Sequence, residues 1–331
     1  TQMSAKKGLE MFEERAWAAL IKEYTQLRDM DVIGRLDPKT LTKQQKRDAL
    51  RVVNLIKEKR CGKIKGRMCA DGRPQRKYVP REESSSPTVS NEALMGILAI
   101  FAKENRAVGV FDVPGAYLHA DMPDDDFIIL RFEGIFVDIL CEVMPELLAD
   151  VVYENGKKVL YVRALKAIYG CIKSALLWYN LYESTLANDG FEINPYDKCV
   201  ANKMVNGKQC TIAWYVDDNI AGHADEKVLD ELFEMVESHF GKLAVQRGRM
   251  FDFLGMDVSF KNNGTFVLAS SGHRKKAVEL FGDDVSGEVS SPATKRLFTV
   301  YEDSPLLDKH KDKTFHSVVM LMLWVTKRSR P

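Results

Sequence analysis

The sequence predicts an α+β protein whose antiparallel sheet packs on helices. Three observations lead there. Asn-Gly pairs at 155–156, 206–207 and 263–264 each lie between β-like runs, a strong short-range sign of a hairpin. Segments with apolar residues at helical spacing are interspersed with those runs, so helices and hairpins mix along the chain. Two apolar runs, Val108–Val113 and Thr211–Val216, read as buried strands, and both reach aspartate at their ends.

The elements follow in order. Residues 8–30 place Leu9, Phe12, Ala16, Leu20 and Tyr24 at helical spacing. Thr42-Lys43-Gln44-Gln45 has the form of a capping box. It opens a predicted helix with Ala49, Val52, Val53 and Ile56 on one face, ending near Arg60 and Gly62. The basic stretch 63–79 suits an extended hairpin, and Ser84–Ser86 with Pro87 a loop. Asn91 to Lys103 reads as a helix burying Leu94, Ile97, Leu98 and Phe101. Residues 164–187 read as a long helix. The 206–207 turn feeds the strand carrying Tyr215 to Asp218, and Asn219-Ile220-Ala221-Gly222 follows at once. Asp217 and Asp218 are therefore expected at the apex of a tight hairpin. Residues 226–240 form a helix through Val228, Leu232, Met235, Val236 and Phe240. A basic helix spans 273–281, with His273, Arg274, Lys275 and Lys276. The eight apolar residues Val318–Val325 suit a buried helix.

The 331 residues allow two or three packed subdomains, and 45% hydrophobic with 29% charged residues is ordinary for a soluble globular protein. No stretch approaches the length of a membrane span, and the charge-dense first thirty residues lack a secretory segment, which argues against export. The chain opens on Thr1 rather than Met, as a fragment would. Cysteines at 61, 69, 141, 171, 199 and 210 show neither C-x-x-C nor zinc spacing, so free thiols in a reducing compartment are expected. Net charge is +1, but residues 41–81 carry fourteen Lys or Arg against three Asp or Glu, leaving an acidic remainder. A basic block beside an acidic one suits a polyanion-binding surface next to a metal-binding one; a solvated charged helix is the plainer reading.

The chemistry gathers at strand-end acids. Asp124–Asp125–Asp126 and Asp283–Asp284 follow Pro123 and Gly282 and read as solvated turns. Asp217 and Asp218 instead follow Thr211-Ile212-Ala213-Trp214-Tyr215-Val216, where unpaired carboxylates would cost several kcal/mol each on burial. Two strands about 4.8 Å apart can bring Asp112 beside them. Three such acids repel one another unless divalent cations bind. Mg²⁺ suits a few carboxylates, waters and substrate phosphates, and two ions about 3.5–4 Å apart serve phosphoryl transfer.

The stretch "VFDVPGAYLHADM" (110–122) sets Tyr117 five residues after Asp112, and here the chain resembles the reverse transcriptases of copia-type retrotransposons. "FDVPGAYLHADM" resembles the first catalytic segment of that family and "YVDD" the second. "LKAIYGCIKSALLWY" (165–179) resembles its LYGLKQAPRQWY block, and "GKIKGRMCADGRPQR" (62–76) its basic fingers entry. "FLGMDV" (253–258) resembles its primer-gripping hairpin, and "FHSVVMLMLWVTKRSRP" (315–331) the segment after the thumb. The likeness spans roughly residues 40–331 in order.

The resemblance implies a right-hand polymerase with an antiparallel palm sheet: a helical lead-in over 1–40, basic fingers over 41–107, palm over 108–260 with finger elements between 120 and 165, and thumb with the start of a connection over 261–331. It implies an RNA-directed DNA polymerase that adds dNTPs to a primer 3′-hydroxyl with two Mg²⁺ ions, or Mn²⁺. Asp112, Asp217 and Asp218 would be catalytic metal ligands, joined by the carbonyl of Val113. Lys65, Arg67, Tyr117 and Gly170 would bind the nucleotide, Tyr117 lying under the sugar so that a 2′-hydroxyl does not fit. Tyr215, Phe253, Leu254, Gly255, Met256 and Lys173 would meet primer or template. Partners would be an RNA template, a DNA or RNA primer and, in the polyprotein, ribonuclease H and integrase domains. The location would be a cytoplasmic retroelement particle or the nucleus. The sequence departs from the family at Ile172 and Lys173-Ser174-Ala175, and it stops at Pro331 before any ribonuclease H segment. A truncated, catalytically inactive remnant that binds nucleic acid is the alternative. A glycoside hydrolase would need acid and base on opposite sides of a sugar, and a metal-dependent nuclease leaves Tyr117 and the fingers block unexplained.

Overall fold

The computed structural model describes residues 2–59, 62–282, 287, 290, 296 and 298–329. The chain begins β1 (Gln2–Ser4), α1 (Ala5–Asp29), β2 (Ile33–Arg35), α2 (Lys43–Asp48), β3 (Leu50–Glu58), β4 (Ile64–Ala70), α3 (Asn91–Lys103) and β5 (Ala107–Asp112). It continues α4 (Ala116–His119), β6 (Ile129–Glu133), α5 (Ile135–Val143), β7 (Val152–Glu154), β8 (Lys157–Ala164), α6 (Ser174–Asn188), β9 (Glu192–Ile193), β10 (Val200–Val205), β11 (Lys208–Tyr215) and β12 (Asp218–His223). It ends α7 (Glu226–Phe240), β13 (Ala244–Arg247), β14 (Met250–Phe253), β15 (Met256–Phe260), β16 (Phe266–Ala269), α8 (Ser271–Phe281) and α9 (Lys309–Arg328).

Among the described residues the strands form three sheets. The first runs β1-β3-β6-β8-β2, with β4 beside β3 and β7 beside β8; the second β13-β5-β12-β11-β10-β9; the third β14-β15-β16. All pairings are antiparallel except the short β3–β6 contact. Two large cores result. Helices α1 and α5 bury Leu20, Tyr24, Ile139 and Leu140 against Leu50, Ile56, Leu130, Phe132 and Val162 of the first sheet. Helices α3, α6 and α7 bury Phe101, Trp178, Tyr182 and Phe233 against the second sheet, and the third sheet adds Phe253, Met256 and Val258. Each fully buried Leu, Ile or Phe contributes about 1.5–3 kcal/mol.

Much of this follows from local chemistry. Ser4 caps α1 by accepting from the Lys7 amide, and Ala16, Leu20, Tyr24 and Leu27 share its buried face. Helices α3 and α7 occupy the predicted residues, with Leu94, Ile97, Leu98 and Phe101, and Val228, Leu232, Val236 and Phe240, buried. The three Asn-Gly pairs all close hairpins: β7–β8, β10–β11 and β15–β16. The first two have positive φ at both turn residues, the mark of a type I′ turn. The described cysteines, 69, 141, 171, 199 and 210, are free thiols, and Cys61 lies outside the described residues. No described helix is long and apolar enough to cross a membrane.

Three expectations are corrected. Thr42 and Gln45 do close a capping box, but α2 stops at Asp48 and residues 50–58 are a strand. Leu50, Val52, Asn54 and Ile56 recur at a period of two, with Leu50, Asn54 and Ile56 buried and Arg51, Val53 and Lys57 exposed. β-branched Val52, Val53 and Ile56, together with ladders to β1 and β4, favour the strand. The helix predicted from 164 begins at Ser174, because β8 runs to Ala164, paired with β6 and β2, and Leu165, Ala167 and Tyr169 then bond through their backbones to Met122, Ala120 and Ala70. Between them Gly170 takes φ +94°, and the Ser174 hydroxyl donates to the carbonyl of Ile168 at 2.7 Å. The apolar run of α9 forms the expected helix but buries only Val325 among its described residues; Val319, Met320, Met322 and Leu323 are exposed.

Helix α3 is seated on β12 by the absence of a side chain at Gly222, where a Cβ would lie 2.6 Å from Cζ of the buried Phe101. Gly222→Val should destabilise the protein by about 1–3 kcal/mol through overpacking, read as a lower urea midpoint. An unchanged midpoint would mean that α3 does not rest on this strand.

Candidate active site

Strand β5 delivers Asp112, and the register sets it directly opposite Asp218 on β12. On its other side Asp112 faces Ala244 of β13. Tyr215 pairs with Asp218, so Val216 and Asp217 form the two-residue turn between β11 and β12. The hairpin apex is thus Asp217, while Asp218 already belongs to a strand. Val216 carries φ +61°, a conformation that costs a β-branched residue about 1–3 kcal/mol. The amide of Val113 donates to the carbonyl of Asp217 at 3.1 Å, tying the end of β5 to this turn.

Like charges directly opposite across a sheet repel, and the acids record it. Burial pushes the Asp112 carboxyl up, and the charge of Asp217, within hydrogen-bonding reach, pushes it further; Lys65 and Lys59 pull it back. Asp218 is pushed up to about 6, by burial first and then by Asp217, Asp112 and Asp252. Hard oxygen donors that destabilise one another are the donor type Mg²⁺ takes, and the residues fit such a cation in charge and chemistry. Among the described residues, however, no group of three or more Asp, Glu, His or Cys side chains is arranged to hold a metal. The close contact is the pair Asp112–Asp217, with Asp218 across the ladder.

A second group of side chains faces these acids. Tyr117, on the short α4, packs its ring 4.7 Å from that of Tyr169, and the Arg67 guanidinium lies 5.1 Å over the Tyr169 ring. Burial and the Asp217 charge push the hydroxyls of Tyr117 and Tyr169 up. Lys65 and Arg67 lie on β4, exposed. Between them the Glu23 carboxylate of α1 accepts from the Met68 amide at 2.9 Å. Burial raises the Glu23 carboxyl, against the pull of that amide and of Lys65 and Arg67. Lys22, Lys59, Lys63 and Lys65 line a cleft with Pro114. Gly170 meets β4 at backbone distance: a Cβ there would lie 2.0 Å from the carbonyl oxygen of Ala70, and Ala70 donates its amide to Tyr169 at 2.7 Å.

The remaining expected residues divide. Leu254 and Gly255 form the β14–β15 turn, both with positive φ, while Phe253 and Met256 are buried in the core. Asp252, beside that turn, is close enough to act on Asp218. Lys173 stands apart, engaged by Glu83 at 2.7 Å and Asp126 at 2.9 Å. Tyr169, Glu23 and Asn219 were not anticipated. Tyr169 and Asn219 had a sequence signal, as an aromatic inside the 165–179 block and an amide heading the apolar run Ile220–Ala221; Glu23 had none, because it lies on a helix far from the motifs.

The family described as reverse transcriptase (RNA-dependent DNA polymerase) matches residues 40–283. The chain is 24% identical over 237 residues to the retrovirus-related Pol polyprotein from transposon TNT 1-94 of Nicotiana tabacum, covering 71% of this chain and 16% of the relative. It is 24% identical over 260 residues to the transposon Ty1-DR1 Gag-Pol polyprotein of Saccharomyces cerevisiae, covering 76% of this chain and 13% of the relative. The chain therefore spans only a small part of either polyprotein. A solved foamy viral protease-reverse transcriptase in complex with double-stranded DNA superposes with TM-score 0.43 and 16% identity, over 82% of this chain and 35% of that one.

The acid cluster sets a pH dependence of stability. A carboxyl raised from 3.8 to about 6 on folding favours the native state fully below 3.8, and that advantage is lost as pH rises through about 6. Asp218→Asn should therefore unfold at higher urea than the parent at neutral pH. Its advantage should shrink on acidification through the same window. A gain that is independent of pH would mean that carboxylate repulsion is not its source.

Proposed function

Because the chain belongs to the reverse transcriptase (RNA-dependent DNA polymerase) family over residues 40–283, we propose that it adds deoxynucleotides to a primer 3′-hydroxyl on an RNA template. The observation that carries the proposal is the register setting Asp112 opposite Asp218 with Asp217 on the adjoining turn. Asp112, Asp217 and Asp218, with the carbonyl of Val113, would hold two Mg²⁺ ions, Mn²⁺ serving in their place. Such a pair, when bound, supplies charge stabilisation for phosphoryl transfer.

The chain's own residues bind and orient the reactants. Lys65 and Arg67 receive the triphosphate, Arg67 through its fork of donors. Tyr117 floors the sugar, and its packing on Tyr169 keeps the ring from yielding to a 2′-hydroxyl. Gly170 lets the nascent base pair approach the backbone. At the primer terminus the Leu254–Gly255 turn and Tyr215 make contact, with Phe253 and Met256 acting from the core behind. Lys173, held in two ion pairs, orders the fingers side near the template. In this reading 41–107 with 120–165 are fingers, joined by the 1–40 helical lead-in, 108–260 palm and 261–331 thumb with the start of a connection. RNA template, DNA or RNA primer and dNTPs are the substrates. The native context is a polyprotein with ribonuclease H and integrase domains, in a retroelement particle.

Primer extension on an RNA template with Mg²⁺ tests the proposal. Asp217→Asn should lower the rate by at least about 10³-fold while leaving primer–template affinity within about twofold, since electrostatic stabilisation of developing charge is the larger share of such catalysis. Tyr117→Ala should admit ribonucleotides; unchanged sugar selection would remove Tyr117 from that role. Mg²⁺ should also raise the thermal midpoint of the parent and not of Asp112→Asn. A parent chain that binds primer–template but adds no nucleotide would mark an inactive remnant instead.

A further inference from the structure

Asn219 is an amide on β12, fully buried and flanked across the ladders by Trp214 and Phe111. Burying an amide there is unfavourable unless its polar atoms are bonded. Its Oδ1 accepts from the hydroxyl of Tyr182 at 2.7 Å, and its Nδ2 donates to the carbonyl of Asp217 at 2.8 Å. Tyr182 is itself fully buried. Its ring stacks on Trp178 at 5.1 Å and meets Trp214 edge-on at 5.6 Å, so the hydroxyl has little freedom to turn elsewhere. Trp178 donates its indole N–H to the carbonyl of Val216 at 2.8 Å.

Both carbonyls of the turn residues are therefore held from outside the turn. Val216 is held from α6 by Trp178. Asp217 is held twice, by Asn219 on β12 and by the Val113 amide at the end of β5. Satisfying a buried amide would not by itself require this convergence, because an apolar side chain at 219 would fill the same space without a donor to Asp217. We infer that Tyr182, Asn219 and Trp178 are positioning residues: they clamp the strained Val216–Asp217 turn and so set where the Asp217 and Asp218 carboxylates stand relative to Asp112. The inference rests on the polymerase reading for its consequence in catalysis, but the clamp itself is a property of the fold.

Three variants test it: Asn219→Leu, the milder Tyr182→Phe, and the two combined. Asn219→Leu should lower kcat for nucleotide addition on the order of 10²-fold, the effect of a roughly 1 Å misplacement of catalytic groups. The KM for dNTP and primer–template affinity should stay within about threefold, because Lys65, Arg67 and Tyr117 are untouched. Tyr182→Phe should lower kcat by about tenfold. In the double variant both partners are apolar, so the thermal midpoint should recover towards the parent while kcat stays as low as in Asn219→Leu. Hydrogen exchange at the Val113 amide should quicken at least about tenfold in Asn219→Leu and in the double variant. Recovery of kcat together with stability in the double variant, or Val113 exchange at the parent rate, would overturn the inference. A parent chain that extends no primer would refute the polymerase reading alone, and Val113 exchange would still decide the clamp.

Discussion

Setting Asp112 and Asp218 side by side on adjoining antiparallel strands, with Asp217 on the turn beside them, is a self-repelling arrangement. Such an arrangement persists only where a rigid scaffold holds it or a cation relieves it. The scaffold is visible in the order of the second sheet, where β5 lies between β12 and β13. Helices α6 and α7 press on it through Trp178, Tyr182 and Phe233. The strain at Val216 has the same origin, since a tight turn lets the second acid arrive beside the first without lengthening either strand.

The groups that would meet a nucleotide come from the other core. Lys65 and Arg67 sit on β4 in the first sheet, braced by Glu23 of α1. Within that core Ala70 bonds to Tyr169 and Gly170 lies against the carbonyl of Ala70, while α4 and α6 join it to the other core, Ala116 and Leu176 packing on one and Leu118 and Leu177 on the other. Tyr169 then passes the connection to Tyr117 by ring contact. The acids and the cations of β4 thus stand on different cores, registered to each other through α4, α6 and the Tyr117–Tyr169 contact.

How much of this the sequence disclosed depended on how local the determinants were. Helices α3 and α7 were legible because each carries a single unambiguous apolar face, and the Asn-Gly hairpins because their turn chemistry is local. The hairpin bearing Asp217 and the partnership of Asp112 with Asp218 were legible because apolar strands ended in acids with no local partner. Residues 50–58 misled because Ala49, Val52, Val53 and Ile56 match a helical face while Leu50, Val52, Asn54 and Ile56 match a strand face, and only the neighbouring strands decide between them. The start of α6 was obscured because Leu165, Ala167 and Tyr169 owe their extended form to backbone bonds with Met122, Ala120 and Ala70, partners with no mark in their own sequence. The apolar run 318–325 announced a helix correctly, but periodicity does not say what covers it. Glu23 and Tyr182 carry no mark in the sequence, because their contacts arise only when α1 and α6 are laid against β4 and β12.

The division into two cores has a consequence for how the molecule comes apart on heating. Two cores that share α4 and α6 but no sheet need not melt together, since a structure opens in cooperative units of unequal stability. A small rotation of one core over the other would separate cation from carboxylate while leaving both interiors dry and both sheets paired. Inactivation would then come before denaturation, and a protein still native by circular dichroism would already have stopped working.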